Sequence, residues 1–140
     1  KTSKGIYKFK NFSQKGILII STGIITSNVF EAMENFKNTI IKPDILPLSK
    51  IKEIDKNLLN MVFKSYEKII IVEEHINSGG LFSTILEFAS NNQINFKLKD
   101  IKSISLPNKF LKGLGSKNDA LKSMKLDPKS IYESVNKYLR

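Results

Sequence analysis

The sequence predicts a single three-layer α/β/α domain, with helices on both faces of a mostly parallel sheet of about five strands. Short β-branched runs alternate with amphipathic stretches along the chain, and the runs are continuously apolar. A continuous apolar run is typical of a strand buried on both faces, and strand–helix–strand alternation places helices over a parallel sheet. The chain of 140 residues has room for one hydrophobic core.

The first elements are an arm and a strand–helix unit. Residues 1–15 mix large apolar residues with lysines and predict an arm or an antiparallel edge strand, and residues 16–140 form the domain body. Ile17–Thr22 predicts a buried strand. A helix is expected after the turn at Gly23, because apolar residues recur there at helical spacing. These residues are Val29, Ala32, Met33 and Phe36.

The middle of the chain repeats the alternation. Asp44–Leu48 predicts a weaker strand, and because Pro47 has no N–H, this strand should lie where that donor is not required. A helix from about Asp55 to Tyr66 is followed by a buried strand at Lys68–Glu73. The apolar face of this helix comprises Leu58, Leu59, Val62, Phe63 and Tyr66.

The last third predicts three helices and a strand region at Phe96–Leu106. Ser116, with Asp119 three residues later, resembles a capping box, and Asp127 before Pro128 is a strong helix start. The helix that begins after Gly79-Gly80 should face inward with Leu81, Phe82, Ile85, Leu86 and Ala89.

Composition excludes several classes of site. The chain has no cysteine and one histidine, so thiolate chemistry and an ordinary transition-metal site built from this chain alone are excluded. The net charge is +10, but nearly all of the positive charges are lysines. The scarcity of arginine, of which Arg140 is the one instance, argues against specific nucleic-acid recognition. Its apolar runs are too short to span a membrane and no leader opens the chain, so a cytoplasmic location is expected.

One group of residues stands out for its chemistry. Glu73, Glu74 and His75 end a predicted strand, and Gly79 and Gly80 open the next helix. At the carboxyl end of a parallel strand such residues can bind or catalyse. They can equally be structural, with a glutamate accepting N–H groups at the helix start and the glycines allowing close packing. No glycine-rich dinucleotide or phosphate-binding loop and no nucleophile elbow accompanies them.

The same residues resemble a known family signature. Val72-Glu73-Glu74-His75, followed by Gly79-Gly80, is similar to the C-terminal domain of transketolases, which also occurs in deoxyxylulose-phosphate synthases and the β subunits of 2-oxoacid dehydrogenases. Further matching segments are Ile17–Gly23, Glu31-Ala32, Ile51–Asp55, Leu106–Phe110, Gly115 and Leu126-Asp127 with Ile131. Two positions depart from the family pattern. Glu53 replaces a usual proline, and Phe82 replaces a common glycine.

The resemblance implies a division of labour. In such enzymes thiamine diphosphate and Mg²⁺ lie between two other domains, one of which carries a Gly-Asp-Gly motif that this sequence lacks. The resemblance therefore implies no catalytic, cofactor-binding or metal-binding residue in this chain, and no activity of the chain alone. The implied partners are the upstream pyrimidine- and diphosphate-binding domains and a homodimer mate. The candidate interface residues are Glu73, Glu74, His75, Gly79 and Gly80.

Two alternatives of other classes remain at this stage. The chain could be a stand-alone basic interaction module that binds an acidic partner or nucleic acid through its lysines. Hydrolysis by His75 with Glu73 or Glu74 is a more remote hypothesis. The sequence leaves open which substrates the parent enzyme uses, which of the three enzyme types it is, and whether the chain is a fragment or a separate subunit.

Overall fold

The computed structural model describes residues 16–36, 42–51, 54–94, 100–108 and 115–139. These residues form four strands and five helices. In chain order the elements are β1 (Gly16–Thr22), α1 (Ile25–Glu34), β2 (Asp44–Leu48), α2 (Lys56–Ser65), β3 (Tyr66–Ile76), α3 (Leu81–Asn91), β4 (Asp100–Leu106), α4 (Lys117–Ser123) and α5 (Pro128–Leu139). The arm or edge strand predicted at residues 1–15 lies outside the described residues.

The described strands form one parallel sheet in the order β2-β1-β3-β4. The predicted α/β fold with a parallel sheet is therefore confirmed, with four strands among the described residues where about five were expected. β2 lies at one end of this order, where Pro47 sits opposite Ser21 of β1. An outer strand tolerates proline because one row of its backbone groups is not needed by a neighbour within the sheet.

Helices cover both faces of the sheet, which explains the continuous apolar strands. Successive residues of a strand point to opposite faces. Ile19 and Ile70 pack with α1 and α5 on one face, whereas Leu18 and Ile71 pack with α2 and α3 on the other. All four are at most 1% exposed, and each contributes about 1.5–3 kcal/mol of burial free energy.

Three predicted details differ from the structure. α2 ends at Ser65, and Tyr66 is the first residue of β3, where its hydroxyl donates to Asp44 Oδ2 at 2.8 Å. β3 continues to Ile76 instead of ending at Glu73. Leu86 of α3 is only partly buried, since the buried face of that helix consists of Leu81, Ile85 and Ala89. The first residues of the predicted strand region, 96–99, lie outside the described residues.

The predicted helix starts are confirmed. The Ser116 hydroxyl accepts from the Asp119 backbone N–H at 3.2 Å, and the Asp119 carboxylate accepts from the Ser116 N–H, which completes a capping box for α4. Asp127 accepts from the Ser130 N–H at 3.2 Å, one turn into α5. Across the part of the chain that the structure describes, every helix is too short or too polar to cross a membrane.

The order of the strands reverses at β1. The chain moves from β1 outward to β2 through α1, and from β3 outward to β4 through α3, with the two helices on opposite faces. The carboxyl ends of β1 and β3 therefore flank the point at which the winding changes direction. In open α/β sheets this crevice is where ligands or partners bind.

Candidate functional site

The Glu-Glu-His segment lies at the carboxyl end of β3, where the ladder with β4 is interrupted. Val72 pairs with Ile104 and Ile76 pairs with Leu106, and the register shifts between these two pairs. Residues 73–75 therefore bulge out of the regular pairing. A bulge re-aims side chains and is a common device next to binding sites.

Glu73 is a buried capping residue of α3. Its side chain is fully buried, and its two carboxylate oxygens accept from the first turn of the helix. Oε2 accepts from Leu81 N at 2.7 Å, and Oε1 accepts from Phe82 N at 3.0 Å. These N–H groups have no partner inside the helix, and a negative charge is favoured at a helix N-terminus. The structural interpretation of Glu73 is therefore the one that the geometry supports.

The two glycines have different reasons to be glycine. Gly79 has φ +76°, and a Cβ added there would meet no atom within 4 Å, so its requirement is conformational. At Gly80 an added Cβ would lie 2.2 Å from Glu73 Oε2 and 2.9 Å from His75 Nδ1. Its requirement is close packing, because the buried carboxylate occupies the space that a side chain would fill.

Glu74 and His75 are exposed to solvent. The His75 Nδ1 lies 2.7 Å from the Ile76 carbonyl oxygen. Since a carbonyl oxygen only accepts, Nδ1 is the donor of this hydrogen bond, and the contact does not use Nε2. Together with the exposed Glu74 carboxylate, this nitrogen offers a polar contact for another molecule at the end of the sheet.

An exposed isoleucine at the same end of the sheet was missed by sequence analysis. Ile24 follows β1 and is 70% exposed, the one large apolar residue so exposed in the described part of the chain. Ser21 pairs with Val72, so Ile24 and Glu74 leave neighbouring strands at the same end of the sheet. The sequence does contain a signal for this exposure, because Ile24 lies just outside the periodic apolar face of α1. We call Ile24, Glu74 and His75 the carboxyl-end surface.

Asn77 ties the loop after β3 to its neighbours, a role that sequence analysis also missed. Its Oδ1 accepts from the Ser103 and Ser105 hydroxyls of β4 at 2.7 and 2.5 Å. Its carbonyl oxygen accepts from the Ser83 hydroxyl of α3 at 2.6 Å, and Ser83 Oγ in turn accepts from Gly79 N at 2.9 Å. The loop that carries the candidate residues is thus fixed on both sides.

The arrangement offers recognition rather than bond-making chemistry. Both Glu73 oxygens accept backbone N–H groups, and His75 Nδ1 donates to a backbone carbonyl, so among the described residues no carboxylate orients the imidazole as a base. Within the described ranges no three histidine, aspartate or glutamate side chains are grouped to share a metal ion. The segment therefore supports α3 with Glu73 and presents Glu74 and His75 to another molecule.

These features define a doubly wound α/β domain with a fixed, polar surface at its switch point. Comparison with known proteins identifies its family. Residues 10–131 match the family described as transketolase, C-terminal domain, and the chain belongs to that family.

Among curated proteins the chain is similar to 1-deoxy-D-xylulose-5-phosphate synthases. It is 31% identical to that of Cytophaga hutchinsonii over 119 residues, which cover 85% of this chain and 18% of the relative. It is 36% identical to that of Halothermothrix orenii over 97 residues, which cover 69% of this chain and 15% of the relative. The chain thus spans less than a fifth of the length of either enzyme.

Solved transketolases share the fold. A split-gene transketolase, in an inactive β4 tetramer, has a TM-score of 0.74 at 22% identity and covers 89% of this chain and 39% of that chain. Transketolase from Campylobacter jejuni has a TM-score of 0.63 at 11% identity and covers 96% of this chain and 18% of that chain. The predicted transketolase C-terminal fold is confirmed by these likenesses.

Proposed function

We propose that this chain is the non-catalytic assembly domain of a thiamine-diphosphate-dependent enzyme of the transketolase type, which transfers two-carbon ketol units between sugars. The single observation that carries the proposal is that the Glu73 carboxylate caps α3. The buried carboxylate of the Glu-Glu-His segment is committed to α3, and only the exposed Glu74 and His75 face outward. A rigid loop with an exposed polar pair and Ile24 beside it suits contact with another domain.

The described residues do not fit as the binding site of thiamine diphosphate or its Mg²⁺. Such a site needs several oxygen ligands around a divalent cation. The described part of the chain has no such cluster of acidic side chains, and the sequence has no Gly-Asp-Gly motif. We therefore assign the cofactor to the upstream domains, and no chemical step to this chain.

The proposed partners are the upstream pyrimidine- and diphosphate-binding domains, within a homodimeric parent enzyme located in the cytoplasm. Support comes from the family membership and from the small share of the related enzymes that this chain spans. The similarity to 1-deoxy-D-xylulose-5-phosphate synthases supports a synthase of that type as the alternative parent enzyme.

A complementation experiment tests the proposal. The chain is combined with a protein that supplies the proposed pyrimidine- and diphosphate-binding domains, including a Gly-Asp-Gly motif, and complex formation and ketol transfer are both measured. We expect activity only in the mixture. Turnover by the purified chain alone would overturn the division of labour, and failure of the two products to associate would overturn the assembly role.

Surface variants locate the contact. Replacing Glu74 and His75 together by alanine should weaken association by about tenfold or more, because the few central residues of an interface carry most of its free energy. Glu87→Ala is the matched control, since Glu87 is an exposed residue of α3 away from the end of the sheet. Equal weakening by both variants would contradict a contact at the carboxyl-end surface.

A further inference from the structure

A groove separate from the carboxyl-end surface follows the outer edge of β4. Its volume is about 770 Å³, and every residue from Lys102 to Asn108 lines it. β4 is the last strand of the described sheet and pairs with β3 on one side. Because successive residues of a strand point to opposite faces, a cavity that all of them line runs along the strand edge. Ligand pockets have volumes of about 300–1,000 Å³, so the groove has the size of a small-molecule site.

The polar side of the groove centres on Asn77, which directly follows β3. Its Oδ1 accepts from the Ser103 and Ser105 hydroxyls at 2.7 and 2.5 Å, so both lone pairs of this oxygen are used. The two N–H groups of Asn77 Nδ2 donate to no acceptor among the described residues. Each serine oxygen gives its proton to Asn77 and keeps lone pairs for a further hydrogen bond. Donors and acceptors therefore lie side by side along this part of the groove.

The apolar side of the groove is formed by the residues that alternate with these serines. Ile104 and Leu106 line it, together with Met124 at the end of α4. All three are half-buried and pack on the core cluster that contains the buried residues of α1 and α5. Their remaining exposed surface is an apolar wall, and an organic ligand that covers it removes that surface from water.

The charges of the lining restrict the charge of a ligand. Lys102, Lys125 and Lys137 line the groove, and no carboxylate does so among the described lining residues. A cationic ligand is disfavoured by repulsion from these lysines. The Asn77 and serine groups are neutral, so their hydrogen bonds require no anionic group on the ligand either. An uncharged molecule therefore satisfies the polar side of the groove.

We propose that this groove binds an uncharged molecule of the nucleoside type, with two neighbouring hydroxyl groups on one part and a flat aromatic base on the other. A hydroxyl group both donates and accepts, so the pair matches the Asn77 Nδ2 donors and the serine oxygens. The base lies against Ile104 and Leu106. This site is independent of the assembly role proposed above, since it uses none of the carboxyl-end surface and needs no partner domain.

Titration of the full 140-residue chain tests the site. Adenosine, dideoxyadenosine (which lacks both ribose ring hydroxyls) and D-ribose are compared by NMR, at about 0.2 M salt so that charges are screened. We expect adenosine to shift amides of β4 and of the loop at Asn77. It should bind about tenfold or more tightly than either other compound, since each neutral hydrogen bond contributes about two- to tenfold and ribose has no base. Equal binding of dideoxyadenosine would contradict the polar side, equal binding of ribose would contradict the apolar side, and no binding of adenosine would overturn the proposal.

Adenosine monophosphate separates an uncharged ligand from an anion. At the same salt concentration it should bind no more tightly than adenosine, because the proposed contacts are to the ribose hydroxyls and the base. Tighter binding of the monophosphate would show that the lysines select an anion and would reject the proposal.

Paired asparagine variants test the contact itself. Asn77→Asp keeps an oxygen that accepts from both serine hydroxyls and replaces only the Nδ2 donors by an acceptor. It should weaken adenosine binding by about tenfold or more. Asn57→Asp adds the same charge on α2, which packs on the opposite face of the sheet, and should leave affinity unchanged. Equal loss in both variants would show a general effect of charge and would reject the site. The comparison of adenosine with dideoxyadenosine uses no variant, so it decides the point even if Asn77→Asp does not fold.

Discussion

Replacing Gly80 by alanine should destabilise the domain far more than replacing Gly79, although the two glycines are adjacent. Gly80 has φ −99° and ψ −160°, which alanine adopts without strain, so the whole cost is steric. The new Cβ would lie 2.2 Å from Glu73 Oε2, and the carboxylate would have to withdraw by roughly 1 Å to reach ordinary contact, about 3.4 Å or more. That movement breaks its 2.7 Å hydrogen bond to Leu81 N.

The magnitude follows from the contacts that are lost. A hydrogen bond to a buried charge contributes about 1.5–3 kcal/mol, and overpacking adds about 1–3 kcal/mol. The smaller entropy of the unfolded alanine chain offsets about 0.4–1 kcal/mol of this. We therefore expect Gly80→Ala to lower the free energy of unfolding by about 2–5 kcal/mol. Gly79→Ala meets no atom and only the left-handed backbone opposes it, so its cost should be about 1 kcal/mol.

A double-mutant cycle with Glu73→Ala tests the cause. Urea unfolding is followed by circular dichroism for the four proteins of the cycle and for Gly79→Ala. Once the Glu73 carboxylate is absent, Gly80→Ala should cost about 1 kcal/mol or less, because the remaining neighbour, His75 Nδ1 at 2.9 Å, belongs to an exposed side chain. If the cost of Gly80→Ala were the same in both backgrounds, or if Gly79→Ala were the more damaging change, the steric account would be refuted.

Three further predictions concern a cap, a buried hydroxyl and the surface charge. Burial opposes ionisation of Asp127, but hydrogen bonds from the Ser130 side chain and from backbone N–H groups hold its pKa below the ordinary value of 3.8. The stability contributed by this carboxylate is therefore present above pH 3.8 and lost as pH falls through the lower, folded pKa. Asp127→Ala should cost about 1 kcal/mol at neutral pH and flatten the acid limb of the stability profile, and an unchanged limb would contradict the cap. Burial, together with the hydrogen bond to Asp44, raises the pKa of the Tyr66 hydroxyl, which stays a proton donor. Tyr66→Phe should cost about 1–2 kcal/mol in urea unfolding, against nearly none for the control Tyr132→Phe, and equal costs would contradict the buried bond. In a gel-shift assay the chain should retain no duplex DNA at about 0.05 or 0.2 M salt, and retention at the lower salt that falls steeply at the higher would favour the nucleic-acid module instead.

Much of the fold was predictable because the sheet is buried on both faces. The runs at Ile17–Thr22 and Lys68–Glu73 are continuous in aliphatic residues, and such runs predict parallel strands. The helix starts at Ser116 and Asp127 were predictable because capping depends on residues three positions apart. Tyr66 was assigned to the wrong element because an apolar residue at helical spacing also fits a strand start. In the structure Tyr66 begins β3, and its hydroxyl bonds to Asp44, which is 22 residues away in sequence.

The candidate site was predictable only in part. The segment from Glu73 to Gly80 was found from its residue types, and capping of the next helix was one of two interpretations offered for the glutamates. Which of the two glutamates caps α3 could not be predicted. It depends on the register shift between Val72 and Ile76 of β3, which no local sequence pattern encodes. Asn77 and its two serine donors are 26 and 28 residues apart in sequence. Contacts at such separations depend on strand order, and for that reason the role of Asn77 was found only in three dimensions.

The strand order also has a consequence for synthesis of the chain on the ribosome. β1 lies between β2 and β3, so its second neighbour is complete only when Ile76 has been made. At about 5–20 residues per second, that wait lasts roughly three to ten seconds after Thr22 has been added. During this interval the Ile17–Ile20 run has an unpaired edge, which is a template for aggregation. Early binding of a chaperone to the nascent chain should therefore raise the yield of folded protein, and the benefit should be lost once β3 has emerged.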